Sequence, residues 1–220
     1  MSIIIYSLKA LFNLLTEGFM KIDSIRRLSL DELKALHREC IRRDFPKNEV
    51  RPYSMVKRLA SNNLYIAYGA YCNNTLIAYA TFFNLPDSPV TLLDYLAVQP
   101  EHRGTGIGSS FIGEFKSIVK KEFPHSRVIA IECESPQYAT STADKATREK
   151  RINFYIRNGA VITKSTLYAF GVNYNLLAVY LDNSRQTLKL GEGVYNLYLY
   201  GFKNLLKGFA KKHLKYFDAQ

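Results

Sequence analysis

A glycine-rich turn between a strand pattern and a helix start constrains this chain more than any other feature. The turn is Arg103-Gly104-Thr105-Gly106-Ile107-Gly108. Before it runs Thr91-Leu92-Leu93-Asp94-Tyr95-Leu96-Ala97-Val98, an apolar stretch of strand type. After it, Ser109-Ser110-Phe111-Ile112-Gly113-Glu114-Phe115 opens a helix. Glycines let backbone N–H groups approach an anion with no Cβ in the way. A helix N-terminus adds unpaired donors and a partial positive charge. Arg103 can add a charge-assisted hydrogen bond. The arrangement reads as a place to hold a phosphate, although glycines after a strand also serve simply to turn the chain.

Two common nucleotide loops are excluded. No Gly-Lys-Ser/Thr is present, so the stretch is not a P-loop. A dinucleotide fingerprint needs Gly-x-Gly-x-x-Gly, whereas these glycines fall at 104, 106 and 108. The pattern is Arg-x-x-Gly-x-Gly, with Leu96-Ala97-Val98-Gln99-Pro100-Glu101-His102 just before it. In this form it resembles the acyl-CoA pyrophosphate loop of the GNAT N-acetyltransferase superfamily. Downstream, Ile152-Asn153-Phe154-Tyr155-Ile156-Arg157-Asn158-Gly159-Ala160 resembles the Phe-Tyr-x-x-x-Gly-Phe segment of the same superfamily, with Ala160 where a Phe is usual. The resemblance covers 22–181.

That resemblance implies an α/β (α+β) fold with a mixed, mostly antiparallel six- or seven-stranded sheet. Its central strands splay apart and helices cover both faces. It implies acetyl-CoA as cosubstrate, held by Arg103, Gly104, Thr105, Gly106, Gly108 and Ser109. The carbonyls of Leu96 and Val98 would pair with pantetheine amides. A bulge over Leu96-Ala97-Val98 would free an N–H for the thioester carbonyl.

With 220 residues, nearly half of them apolar, the chain supports one domain with terminal appendages. Lys and Arg number 30 against 19 Asp and Glu, a formal net charge of +11. Such a chain favours anionic ligands, coenzyme A among them. The basic residues are interspersed and no RNA-binding motif is present, so nucleic acid is not expected. Cys40, Cys72 and Cys133 show no paired spacing, which argues against disulfides and zinc and fits a reducing, cytoplasmic setting. Four scattered histidines suggest no metal. No apolar run reaches the roughly 18–20 residues of a membrane span, and no signal-peptide pattern is present.

The organisation expected is an appendage over 1–19, a GNAT-like acyltransferase domain over 20–182, and a basic, aromatic-rich helical extension over 183–220 packed on it. The domain begins with a strand over 20–27. Ser29-Leu30-Asp31-Glu32 reads as a capping box opening a helix. A second helix follows over 52–61, and a hairpin turns at Asn73-Asn74. The helix after the glycine loop runs to about Lys121, and a buried-type strand covers 127–134. Residues 135–146 read as a polar loop, and 147–158 as a helix ending at Gly159. Strands over 161–170 and 176–181 precede one long helix over 194–217, whose aromatic face offers a surface for pairing with a second copy.

Acyl transfer to an amine needs a deprotonated amine, a stabilised oxyanion and a proton for the leaving thiolate. Glu132 lies in Val128-Ile129-Ala130-Ile131-Glu132-Cys133-Glu134, where a carboxylate is costly unless it faces a cleft or partner. Alternation puts Glu132 and Glu134 on one face, where two acids would raise one pKa. The stretch resembles that of the ribosomal-protein alanine N-acetyltransferases, which makes Glu132 the expected base. Glu134 and Asp94 stay open as alternatives, and so does a plain solvent-facing pair at the strand end. Tyr155 is the expected acid: a phenol stays protonated at pH 7. Cys133 should point away from Glu132, so the amine attacks directly. The function expected is acetyl transfer from acetyl-CoA to a primary amine of a small molecule or peptide. The alternative is a catalytically silent GNAT-like module that binds CoA or an acidic partner. Polar residues within 135–146, beside the acceptor side, would shape substrate choice.

Overall fold

The apolar run before the glycine loop becomes the middle strand of a single sheet. A computed structural model describes residues 21–182, 188–202 and 212–218. The proposed appendage over 1–19 lies outside the described residues. The strands are β1 (Ser24–Arg27), β2 (Tyr65–Cys72), β3 (Thr75–Phe83), β4 (Val90–Val98), β5 (Val128–Glu134), β6 (Val161–Ala169), β7 (Val172–Tyr180) and β8 (Leu214–Phe217). The α-helices longer than one turn are α1 (Leu30–Leu36), α2 (Tyr53–Ala60), α3 (Ile107–Gly113), α4 (Phe115–Glu122), α5 (Thr142–Arg157) and α6 (Leu190–Gly201). The strand order is β1-β2-β3-β4-β5-β7-β6-β8. Among the described strands only β4 and β5 run parallel; every other neighbouring pair is antiparallel.

Local signals act where they were expected. Ser29 and Glu32 form the reciprocal cap of α1. Asn73 and Asn74 take φ of 49° and 61°, the left-handed pair that a tight hairpin requires. Helices cover both faces. Leu33, Leu36, Met55, Leu59, Val194 and Leu197 from α1, α2 and α6 pack on one side. Phe111, Phe115, Ile118 and Ile152 from α3, α4 and α5 pack on the other.

Several expectations are corrected. Among the described residues the sheet has eight strands, not six or seven, because β8 falls inside the expected helix over 194–217. The described part of that helix is α6, Leu190–Gly201, with Lys212 and His213 also helical, while 203–211 lie outside the described residues. Leu214-Lys215-Tyr216-Phe217 instead pairs with Thr166–Ala169 of β6. Alternating apolar, basic and aromatic residues suit a helix or a strand locally, so an open sheet edge decides between them. The helix after the glycine loop is two helices, interrupted at Glu114. The stretch over 135–146 is not all loop: a 3-10 turn covers Pro136–Tyr138, and α5 begins at Thr142. Ser141 caps α5 by accepting from the Asp144 N–H at 3.1 Å. At the start of the chain's sheet, β1 is shorter than the expected strand, and β7 starts at Val172 rather than 176.

The central strands part company. β4 and β5 pair only from Val90↔Val128 to Leu93↔Ile131. Beyond that point β4 stays with β3 as far as Ala78↔Val98, and β5 stays with β7 as far as Glu134↔Tyr174. A bulge marks the parting. The β3–β4 register passes from Thr81↔Tyr95 to Phe82↔Leu93, which leaves Asp94 as the extra residue. The bulge therefore lies at Asp94 and not over Leu96-Ala97-Val98. At the bulge the Thr81 hydroxyl accepts the Tyr95 N–H at 3.1 Å. In consequence Leu92 and Tyr95 share one core although three positions separate them.

Candidate active site

The gap between β4 and β5 is a cavity of about 540 Å³. Of the residues singled out in the sequence, Leu96, Val98, Arg103, Gly108, Glu132 and Tyr155 line it, together with Asp94 and Glu134. Gly104, Thr105, Gly106 and Ser109 are not in this lining; they form the exposed turn and first helical turn beside it. Gly104 and Gly106 have φ of 78° and 87°, which a side chain would strain, and a Cβ at either would meet nothing within 4 Å. The turn thus presents backbone with open space in front of it. Thr105 donates its hydroxyl to the His102 carbonyl at 2.7 Å and so ties the turn to itself. Gly108 has a different reason: a Cβ there would lie 3.1 Å from the Phe154 ring and 3.4 Å from Val98. The first turn of α3 closes on α5 and on the end of β4 at this point.

Arg103 is exposed and bends back. Its Nε donates to the Val98 carbonyl at 3.1 Å, and its Nη2 lies 3.6 Å from Asp44. The Val98 carbonyl keeps one lone pair for another donor. A cationic side chain, two glycines with open space and a helix start suit the diphosphate of a coenzyme A thioester.

Glu132 is held where a carboxyl is reluctant to ionise. Tyr198 on α6 donates its hydroxyl to Oε2 at 3.0 Å. Oε1 is buried with no hydrogen-bond partner among the described residues. Burial pushes the carboxyl up to about 7, with Asp94 and Glu49 adding to the rise, while Arg51 and the Tyr198 bond oppose it. The expected cause was Glu134, and that is corrected. Glu134 is engaged by Arg148 at 3.2 Å and Arg151 at 3.0 Å. Asp94 is likewise committed: its Oδ1 accepts from Arg51 Nε at 2.7 Å and its Oδ2 from the Tyr65 hydroxyl at 2.7 Å. Of the three acids considered, Glu132 alone keeps an unpartnered oxygen.

Tyr155 approaches from the opposite face of the sheet. Ala130 belongs to the α6-side core, whereas Ile131, Cys133 and Tyr155 belong to the other. Alternation therefore sends Glu132 towards Tyr198 and Cys133 towards Tyr155. The splay connects the faces, so base and acid candidates line one cavity. Burial is the main cause that raises the Tyr155 phenol above its ordinary value, so it stays protonated. The Cys133 thiol is pushed up to about 12 by burial, which leaves little thiolate at neutral pH.

Arg51, Glu49, Tyr174 and Tyr198 also line the cavity and were missed in the sequence. Arg51 is 5% exposed, and its guanidinium lies 4.4 Å from the centroid of the Tyr198 ring. Its backbone is pinned as well. The Arg51 N–H donates to the Tyr95 hydroxyl at 2.8 Å, and His37 Nε2 sits 2.8 Å from the Arg51 carbonyl. Nothing in the run Glu49-Val50-Arg51-Pro52 announces these roles, because the partners are remote in sequence. Among the described residues, no three or more His, Cys, Asp or Glu side chains converge as a metal site. No described helix is long and apolar enough to cross a membrane.

Residues 26–142 match the family model for the Acetyltransferase (GNAT) family. The match stops short of Tyr155, which rests on the motif and the cavity. No curated protein sequence matches the chain. Solved structures share the fold. A GNAT-family protein from Bacteroides thetaiotaomicron superposes with a TM-score of 0.58 at 16% identity, over 74% of this chain and 90% of that one. A GNAT-family protein from Desulfovibrio desulfuricans gives 0.53 at 20% identity, over 72% and 99%. The spermidine N-acetyltransferase of Vibrio cholerae, in complex with CoA and spermine, gives 0.53 at 12% identity, over 72% and 95%.

Proposed function

This chain belongs to the acetyltransferase (GNAT) family, and from that premise we propose that it moves an acetyl group from acetyl-CoA to a primary amine by direct attack. The observation that most supports this reading is Glu132: a carboxyl raised to about 7, with one oxygen unpartnered, at the cavity where β4 and β5 separate. A base works best when its pKa lies near the working pH.

The activated acyl group comes from the thioester of bound acetyl-CoA. Backbone amides of Gly104, Thr105, Gly106, Gly108 and Ser109, with Arg103, hold the diphosphate end. The exposed edge of β4 at Leu96 and Val98, free of β5, offers main-chain partners for the pantetheine arm. Glu132 takes a proton from the incoming ammonium, the freed nitrogen bonds to the acyl carbon as the carbon–sulfur bond breaks, and the surplus proton left on that nitrogen passes to solvent, from which Tyr155 recovers the proton it gives up. Tyr155 supplies the proton that the departing sulfur accepts. Arg51 and Asp94 hold each other and set the field around Glu132.

The acceptor class is a small-molecule or peptide amine. The test is thiol release from acetyl-CoA across aliphatic, aromatic, polyamine and peptide amines, alongside CoA binding. Turnover with at least one class supports the proposal. Saturable CoA binding with no turnover on any class would replace it with the silent CoA-binding module.

A further inference from the structure

A second cavity, of about 340 Å³, adjoins the first. Glu49, Arg51, Tyr174 and Tyr198 line both, so the two cavities meet at these residues. Its volume is within the roughly 300–1,000 Å³ of small-molecule sites. Away from that shared wall its character changes. Val50, Pro52, Phe170, Val172 and Phe202 make most of the rest of its lining apolar.

Three separate segments build this cavity: the loop over 48–52, the turn between β6 and β7, and the end of α6. Their aromatic rings cluster. Phe170 lies 5.0 Å from Phe202 and 6.2 Å from Tyr198, centroid to centroid. Phe170 also sits in an unfavourable place for its type. It and Gly171 form a two-residue hairpin turn with φ of 49° and 96°. Such a turn favours Asn, Asp or Gly at its first position. A bulky ring held at positive φ often marks a functional site. Here the ring forms a wall of the cavity. The shared wall carries one acid, Glu49, and one base, Arg51. Glu49 carries no ion-pair partner among the described residues, and Arg51 is already matched by Asp94.

Resting on the acetyltransferase reading above, we propose that this cavity is the acceptor's subsite, and that the acceptor is a primary amine borne on an apolar body the size of an aromatic ring. The ammonium would lie at the shared wall, facing Glu49 and Glu132. The ring would lie against Phe170 and Phe202. A long polyamine fits poorly, because its further charges would enter an apolar chamber unpaired.

The experiment measures kcat/KM by thiol release for 2-phenylethylamine, ethylamine and spermidine. It uses the full-length protein and the variants Phe202→Ala and Phe170→Asn. The second variant relieves the turn's backbone, so it guards against misfolding. Binding of 2-phenylethylamine in the presence of CoA is followed by calorimetry. The expected result is a preference for phenylethylamine over ethylamine of roughly tenfold or more, and a preference ratio that falls about tenfold in both variants. Preference for spermidine, or an equal loss for both monoamines in the variants, overturns the subsite and leaves the acetyltransferase reading intact. Saturable phenylethylamine binding that weakens in both variants, without turnover, keeps the subsite and overturns the catalytic reading. Neither binding nor turnover overturns both.

Discussion

At pH 7 a Glu132 carboxyl with a pKa of about 7 is close to half ionised. Only the ionised form accepts a proton, so kcat/KM should rise with pH and level off above about 7. Below that point each unit of pH costs about tenfold. Glu132→Gln keeps the size of the side chain and an oxygen for Tyr198, but it cannot take a proton. We expect it to lose roughly 10²–10⁴ in kcat/KM and to abolish the bend near 7. An unchanged pH profile would remove Glu132 from the role. Tyr155→Phe should lower kcat roughly 10²-fold or more while CoA affinity, read by calorimetry, stays within about twofold. Equal losses in binding and turnover would make Tyr155 a packing residue. That Glu132 and Tyr155 line the cavity accords with a strand alternation and a motif resemblance that both lie within a few residues. Arg51 was not legible in the sequence: its partner Asp94 is 43 positions away, and no nearby residue hints at the pair.

Among the elements, α6 docks more closely than its composition suggests. A Cβ on Gly193 would lie 2.5 Å from Val90 Cγ2, and Val90 is a fully buried β4 residue. Gly193→Ala should therefore destabilise the fold, although alanine is the better helix former. Overpacking costs roughly 1–3 kcal/mol, against a propensity gain of about 1 kcal/mol. A fall in Tm of a few degrees is expected, and a rise would show that α6 can shift outward. The Arg58 side chain donates to the Gly201 carbonyl at 2.6 Å and pins the other end of α6 to α2. This docking brings Tyr198 to Glu132. The strand β8 illustrates the limit of local reading. The same residues pattern acceptably as a helix, and the free edge of β6 selects the strand.

On the scale of the whole molecule, described residues beyond the GNAT-like domain are part of the core. Leu190, Val194, Leu197 and Leu214 are all buried. Burying each contributes roughly 1.5–3 kcal/mol, so the four together are comparable with the 5–15 kcal/mol net stability of a typical domain. A chain truncated after Asp182 should show no cooperative thermal transition by circular dichroism. A sharp melt from that truncated chain would restore the extension to the status of an appendage. The truncation would also strip Tyr198 from Glu132 and Phe202 from the second cavity.

The amino-acid sequence by itself determined the glycine turn and its strand and helix neighbours, the cap of α1, the Asn73-Asn74 hairpin and the face on which Glu132 lies. Each of these depends on backbone preferences or periodicity within a few residues. Only the tertiary structure decided the bulge at Asp94, the commitment of Glu134 to two arginines, the raised carboxyl of Glu132 and the approach of Tyr198 across 66 positions. Burial and ion pairing are properties of segments that meet only when the sheet closes, and no local pattern records which will meet.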